Sequence, residues 1–211
     1  MTADAAFWDN IAEEYSRKPV DLPEAFERKI AVTKRHITPR STVLDIGCGT
    51  GSLALRLASG AAHVHGLDVS PEMMRIARGK AVDQGAGNVS FHVGAFDDSF
   101  TVLEPGSVDV LCSYSLLHLV DDRDAALAAI FRLLKPGGVL VASTVCLGES
   151  WVPYRPLLWA MRLVGKAPMV CIVSKATLNA EIRAAGFVGL EEPDVGAGGN
   201  TSFLVARKPG G

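Results

Sequence analysis

Apolar residues fall in short, β-branched runs through the middle of the chain, and longer stretches with helical spacing separate them. TVLDIG (42–47), HVHGLDV (63–69), NVSFHVG (88–94), SVDVLCSY (107–114) and GVLVASTV (138–145) read as buried strands. Between them, near 52–59, 71–84 and 121–134, apolar positions recur at the period of a helix. Strands that alternate with helices need crossover connections, and these produce a parallel sheet covered on both faces. Two of the helices are well punctuated. Ser70-Pro71 supplies an N-cap and a proline at the first helical position. Asp121 or Asp122 can cap the helix that presents Leu127, Ile130, Phe131 and Leu134, and Pro136-Gly137-Gly138 is expected to end it. A further helix over 174–187 and closing strands near 187–193 and 201–207 complete the pattern.

Two segments stand outside the alternation. Residues 4–37 read as a helical cap that precedes the first strand. Residues 148–173 are apolar and follow the fifth strand. That insert has roughly the length of a membrane span, for which about 20 apolar residues suffice. Arg155, Arg162, Lys166 and three prolines interrupt it, so no stable membrane insertion is expected. It reads as a lid or pocket wall in which Trp151, Tyr154 and Trp159 face an apolar substrate. Core packing is the competing use of the same side chains, and contact with a membrane surface ranks third. The whole, 1–211, is expected to be one domain.

Composition narrows the partners. The 211 residues are 48% hydrophobic, and 21 basic against 23 acidic side chains leave a net charge of −2. No strong field gathers nucleic acid or an anionic surface, so a small molecule held in a shaped pocket is the expected partner. Cys48, Cys112, Cys146 and Cys171 lack any metal-ligand spacing and read as reduced, mostly buried thiols, with no metal site. The opening MTADAAFWDNIAEEY has no basic flank followed by an apolar run, which makes the cytoplasm the default location. His36, His63, His65 and His92 are expected not to cluster and are given no role.

The chemistry concentrates in Val43-Leu44-Asp45-Ile46-Gly47-Cys48-Gly49-Thr50-Gly51, a strand that enters a glycine-rich turn before a helix. Glycines there let the backbone approach a ligand and take positive φ. In open α/β sheets such a turn lies at the carboxyl ends of the strands, where ligands bind. Asp68 ends the second strand and is placed to accept hydrogen bonds from ribose hydroxyls. A dinucleotide fingerprint, G-x-G-x-x-G, would need glycine at 52, where Ser52 stands. Asp45 is also awkward beside a pyrophosphate. A ligand with a positive centre and an amino group, and no phosphate, suits it better.

VLDIGCGTG resembles the first signature motif of class I S-adenosylmethionine-dependent methyltransferases. LDVS (67–70), VDVLCSYSLLHL (108–119) and LLKPGGVLV (133–141) resemble later motifs of that family in order, over about residues 7–147. Within the class the chain is most similar to small-molecule methyltransferases related to quinone-biosynthesis enzymes. The resemblance implies a doubly wound, Rossmann-like α/β fold: a seven-stranded, mostly parallel sheet with its last strand antiparallel. It also implies S-adenosylmethionine as cofactor. Asp45, Gly47, Cys48, Gly49 and Gly51 would hold its methionine part, Asp68 its ribose, and Val69 would pack on adenine. The third-strand motif departs from the family: Gly94-Ala95-Phe96 lacks the usual acid. Backbone groups at Ala95 and Phe96 could still pair with the ring, and Asp97 is either a substitute or a loop acid.

Other candidates carry two readings each. Tyr15 belongs to a docked amphipathic helix or reaches the cofactor's carboxylate. Ser113, Tyr114 and His118 follow the fourth strand, beside the expected transfer site. His118 is a general base or, preferably, a residue that packs beneath the next helix; Tyr114 is the other catalytic candidate. The N-P-P-aromatic motif of amine-directed DNA methyltransferases is absent, since Ser113-Tyr114-Ser115-Leu116 stands there. Methyl transfer to a small, fairly apolar thiol, phenol or amine is the leading expectation. A non-catalytic cofactor-binding protein and a nicotinamide-dependent dehydrogenase are the alternatives.

Overall fold

The computed structural model describes residues 5–97, 100–163 and 166–211. Residue 4, where the expected cap begins, and residues 164–165 of the insert lie outside the described residues. Five strands appear where alternation placed them: β1 Thr42–Ile46, β2 His63–Asp68, β3 Val89–Val93, β4 Val108–Tyr114 and β5 Leu134–Val145. β6 Val188–Glu191 and β7 Thr201–Arg207 close the sheet. Its order is β3-β2-β1-β4-β5-β7-β6. β1 to β5 pair in parallel, whereas β7 runs antiparallel to both β5 and β6. The expected seven-stranded, mostly parallel sheet is therefore present. Its order reverses between β1 and β4, and the carboxyl ends of those strands open the crevice that such sheets use for ligands.

Helices α1 Ala5–Arg17 and α2 Pro23–Lys34 form the cap ahead of β1. The crossovers are α3 Ser52–Ala58, α4 Pro71–Asp83 and α5 Arg123–Leu133, and α6 Tyr154–Leu163 and α7 Lys175–Ala184 follow β5. Ser70 caps α4 by accepting from the Met73 N–H, and Asp122 caps α5 by accepting from the Ala125 N–H. One core cluster lies on each face of the sheet. Val43, Val64, Val110 and Val141 pack toward α3 and α4, and Leu44, Leu111, Leu140 and Leu204 pack toward α5 and α7. No helix among the described residues is long and apolar enough to cross a membrane.

Two local expectations are corrected. Pro136-Gly137-Gly138 does not end α5 as a separate turn, because α5 stops at Leu133 and β5 begins at Leu134. The turn residues are absorbed as an irregularity in β5, where the register against β4 shifts between Val108 and Val110 and Gly137 takes φ +77°. The histidines do cluster in space. His63, His65 and His92 form a ladder across β2 and β3, with His65 Nδ1 3.1 Å from His92 Nε2 and His63 Nε2 2.8 Å from Ser90 Oγ. Burial, with the neighbouring imidazoles, holds the His65 pKa down to about 4.

Packing as well as backbone conformation requires glycine at position 51. A Cβ on Gly51 would meet Phe91 Cζ at 2.7 Å and Ala77 Cβ at 2.9 Å, and its φ is +76°. Gly85 shares the positive φ, +63°, but has open space around it. Left-handed backbone costs an L-residue about 1–2 kcal/mol, and overpacking adds about 1–3 kcal/mol. Gly51→Ala is thus expected to lose at least about 2 kcal/mol and Gly85→Ala about 1 kcal/mol in urea unfolding. Equal losses would mean that the contact with Phe91 is relieved without cost.

Candidate functional site

The glycine loop is built by backbone hydrogen bonds from its own neighbours. The N–H groups of Gly47 and Cys48 both donate to the Leu67 carbonyl, at 2.8 and 3.1 Å, which ties the end of β1 to β2. Asp68 completes the joint: it accepts from the Gly49 N–H at 2.9 Å and from the Ser70 N–H at 3.0 Å. One carboxylate thereby orients both the loop and the start of α4, with lone pairs left over beside a cavity. Burial raises its pKa despite these hydrogen bonds. Gly47 (φ +67°) has no room for a side chain, since a Cβ would lie 2.9 Å from Leu116 Cδ1. Gly49 (φ +53°) faces space bounded by the Tyr15 ring, 3.7 Å from such a Cβ.

Asp45 sits beneath this loop, 1% exposed, and its Oδ2 has no hydrogen-bond partner among the described residues. Burial, reinforced by the Asp68 charge, pushes its pKa up to about 8, and the Ala54 N–H at the first turn of α3 acts in the opposite direction. A buried polar atom without a partner is costly and uncommon. Here it lines a cavity, so a ligand's cationic group can satisfy it.

Two cavities adjoin at the crevice. The first, of about 100 Å³, is walled by Trp8, Asp68, Val69, Met73, Phe96 and Leu119, among others. The second, of about 410 Å³, is walled by Phe26, Lys29, Asp45, Ser143, Val145 and Thr201, among others. Tyr15, Gly47, Gly49, Tyr114 and Ser115 border both and form the neck between them. Ser115 has φ +57° and Leu22, on the second cavity's wall, has φ +53°. These are the two non-glycine residues with positive φ among those described, and strain of this kind collects at functional sites.

The remaining sequence candidates separate. Cys48 borders the second cavity, but its buried thiol packs close to Gly66 and its pKa is pushed up by burial and by the charges of Asp45 and Asp68. Phe96 walls the first cavity, whereas Ala95 and Asp97 are not among its wall residues. Ser113 is fully buried and borders neither cavity. Tyr114 is at the neck, with its hydroxyl 2.8 Å from Thr33 Oγ1 and donating to the Lys29 carbonyl at 3.2 Å. Burial raises its pKa. His118 lies in a single 3-10 turn, borders neither cavity, and is held near pKa 4 by burial. Trp151 is 93% exposed, and Trp151, Tyr154 and Trp159 border neither of the two cavities at the loop. Among the described residues no group of three or more His, Cys, Asp or Glu is placed to hold a metal. Lys29 and the strained Ser115 went unnoticed in the sequence, because a single lysine on a helix and a serine after a strand carry no periodic or motif signal.

The fold and the loop define a Rossmann-like nucleoside-binding domain of the methyltransferase kind. A family model described as a methyltransferase domain matches residues 37–183, and the chain belongs to that family. It is 35% identical over 114 residues to the ubiquinone biosynthesis O-methyltransferase of Xylella fastidiosa strain 9a5c, covering 54% of this chain and 46% of that one. Against the enzyme of the same name from Xanthomonas campestris pv. campestris strain B100 it is 32% identical over 146 residues, 69% of this chain and 57% of that one. The chain thus spans about half the length of the curated relatives it matches. Among solved structures, Haemonchus contortus phosphoethanolamine N-methyltransferase 2, complexed with S-adenosylhomocysteine and phosphomonomethylethanolamine, superposes with TM-score 0.78 at 18% identity, over 99% of this chain and 61% of that one. The [4+2]-cyclase SpnF superposes with TM-score 0.70 at 23% identity, over 88% and 82%. The expected family and its cofactor, S-adenosylmethionine, agree with these matches. The residues present also fit that cofactor: an unpartnered carboxyl for its ammonium, a left-handed glycine loop facing open space, and a carboxylate beside an apolar slot.

Asp45 gives the site a pH dependence of definite sign. In the free protein it keeps its proton up to about pH 8, whereas the unfolded chain releases it near 3.8. The folded state's advantage from this group is therefore greatest at low pH and is lost as pH rises through that window. A ligand ammonium favours the ionised form, so binding releases a proton below pH 8. Affinity for S-adenosylhomocysteine is expected to rise from pH 6 to 8 and then level off. Calorimetry in two buffers of different ionisation heat should show the released proton. Asp45→Asn should bind weakly, lose the proton release and melt no lower than the parent. A pH-independent affinity in the parent would show that Asp45 does not meet the ligand's charge.

Proposed function

We propose that this protein transfers the methyl group of S-adenosylmethionine to an oxygen atom of a small, fairly apolar acceptor. The observation that carries this reading is the partnerless carboxyl of Asp45 beneath a glycine loop that borders two adjoining cavities. The name of the curated relatives supports oxygen as the acceptor atom. In this reading Asp45 and the backbone of 47–51 hold the methionine part, Asp68 takes the ribose, and Val69 and Phe96 flank the adenine. Tyr15 closes the neck from α1. The bound cofactor supplies a methyl group already activated on a positive sulfur.

The chain's own contribution is then alignment and exclusion of water. Alignment alone can supply about 7–11 kcal/mol. Tyr114 makes a poor base, because its hydroxyl is already committed to the Lys29 carbonyl and to Thr33. His118 has no cavity face and packs under the strand ends. A nicotinamide dinucleotide is disfavoured by Ser52 and by a carboxyl at the pyrophosphate position.

Incubation with labelled S-adenosylmethionine and a panel of phenols, catechols, thiols and amines tests the proposal. Label is expected on oxygen, and Asp68→Ala should weaken cofactor binding several-fold, in line with about 0.5–1.5 kcal/mol for hydrogen bonds of this kind. Binding without turnover of any acceptor would leave a cofactor-binding protein instead. The insert supports a role as a cover, since α6 buries none of its side chains. Trp151→Ala is expected to change acceptor KM while the melting temperature stays within about 2 °C, as surface substitutions usually do. A large drop in melting temperature with unaltered KM would assign Trp151 to packing.

A further inference from the structure

The second cavity holds a cation that no carboxylate among the described residues neutralises. Lys29, on α2, donates from Nζ to Ser143 Oγ at 2.8 Å. An ammonium has three protons to donate, and this hydroxyl takes one. Among the described residues no carboxylate lies within ion-pair distance of it. The other lysine on the cavity wall, Lys18, is paired with Asp21 at 3.4 Å. Lys29 is also half-buried, and burial lowers its pKa.

Its position is fixed from both ends. The Lys29 carbonyl accepts from Thr33 Oγ1 at 2.8 Å and from the Tyr114 hydroxyl at 3.2 Å, which pins that turn of α2 to β4. Its head is held by Ser143 on β5. Strand register separates that head from Asp45. Asp45 pairs with Cys112, and Ser143 pairs with Tyr114, two residues further along. Ser143 is two strands across from β1, so it lies about 10 Å away sideways and about 7 Å further toward the strand ends. The ammonium that Ser143 holds therefore shares a cavity with Asp45 and the glycine loop but stands across the sheet from Asp45, toward the strand ends. Phe26, Val145 and Ala197 line the cavity beside it.

We propose that Lys29 is the receptor for an oxyanion on the acceptor, a carboxylate or an acidic phenolate carried on a small apolar frame. This rests on the methyl-transfer reading above and names its substrate class. A partly desolvated ammonium with free donors gains most from an anion that replaces lost water, and the apolar wall selects what that anion is attached to. Tyr114 then sets the position of the acceptor through the same carbonyl that locates Lys29.

The test uses the full chain with S-adenosylhomocysteine present, and matched ligand pairs titrated by calorimetry. Dihydroxybenzoate against dihydroxybenzamide probes the carboxylate, and nitrocatechol against catechol probes the phenolate. The expected result is at least tenfold tighter binding of one anionic member than of its neutral partner. Lys29→Met should erase that preference, Lys29→Arg should keep most of it, and neither should move the affinity for S-adenosylhomocysteine more than twofold. Ser143→Ala, which removes the hydroxyl that aims the ammonium, should weaken the preference and serves if Lys29→Met does not fold. Anions that bind no more tightly than their neutral partners overturn the proposal. So does a loss of S-adenosylhomocysteine affinity in Lys29→Met, which would place Lys29 on the cofactor's carboxylate. Failure of the parent to bind S-adenosylhomocysteine sinks the methyl-transfer reading, while the anion preference of the free protein still reports on Lys29.

Discussion

A carboxyl group buried beneath the glycine loop, with one oxygen left unanswered, is the constraint around which the site is organised. Asp45 interrupts the apolar run of β1, between Leu44 and Ile46, both of which are fully buried. Sheet periodicity turns it to the face opposite Leu44, and its place at the strand end brings it under the turn. An apolar residue there would pack without the desolvation cost, so the aspartate is a net burden on the free fold. Keeping the proton removes the charge but not the unpaired oxygen, and a positive group entering the crevice would answer both. Stability and binding are opposed at this position, as expected where a fold keeps a polar group for its ligand.

The second carboxylate works differently. Asp68 is already engaged by two backbone N–H groups, so it organises the loop before any ligand arrives. Its preorganising role and its expected contact with a ribose are compatible, because each oxygen has spent only one lone pair. The strained residues follow the same logic. Ser115 and Leu22 hold left-handed backbone at the rim of the cavities, and the Ser115 N–H is tied to the Ser143 carbonyl at 2.6 Å. The neck between the cavities is therefore held by backbone hydrogen bonds and by the Thr33–Tyr114–Lys29 cluster, not by flexible side chains alone.

How much of this was legible follows from the range of each interaction. Strand positions, the caps at Ser70 and Asp122, and the glycine loop are written in residues close together in sequence, and they appear where expected. The ladder of His63, His65 and His92 was half legible: residues two apart on a strand share a face, but His92 joins them only through the β2–β3 register. The start of β5 was misjudged because Pro-Gly-Gly ordinarily ends a helix with a turn, and here a bulge carries the same residues into the strand. Tyr114 was singled out for its place after β4, yet what governs its hydroxyl is Thr33, 81 residues earlier.

The same distinction explains why the glycine loop is easier to read than the rest of the cavity walls. The glycine loop and the end of the adjacent strand, residues 45–69, lie close together in sequence, although the first cavity also takes walls from α1 and from the segments after β3 and β4. The second cavity is assembled from α2, the glycine loop with Asp45, the ends of β4 and β5, and the turn before β7. Most of these pieces are far apart in sequence, and Lys29, with no carboxylate within ion-pair distance among the described residues, is ordinary on a helix until Ser143 and Tyr114 fix it in place. The aromatic insert points the same way. Its composition suggests a pocket wall, but α6 buries none of its side chains and Trp151 faces solvent. The cation proposed as a receptor is held between α2 and β5 instead, and that role depends on contacts that composition alone does not encode.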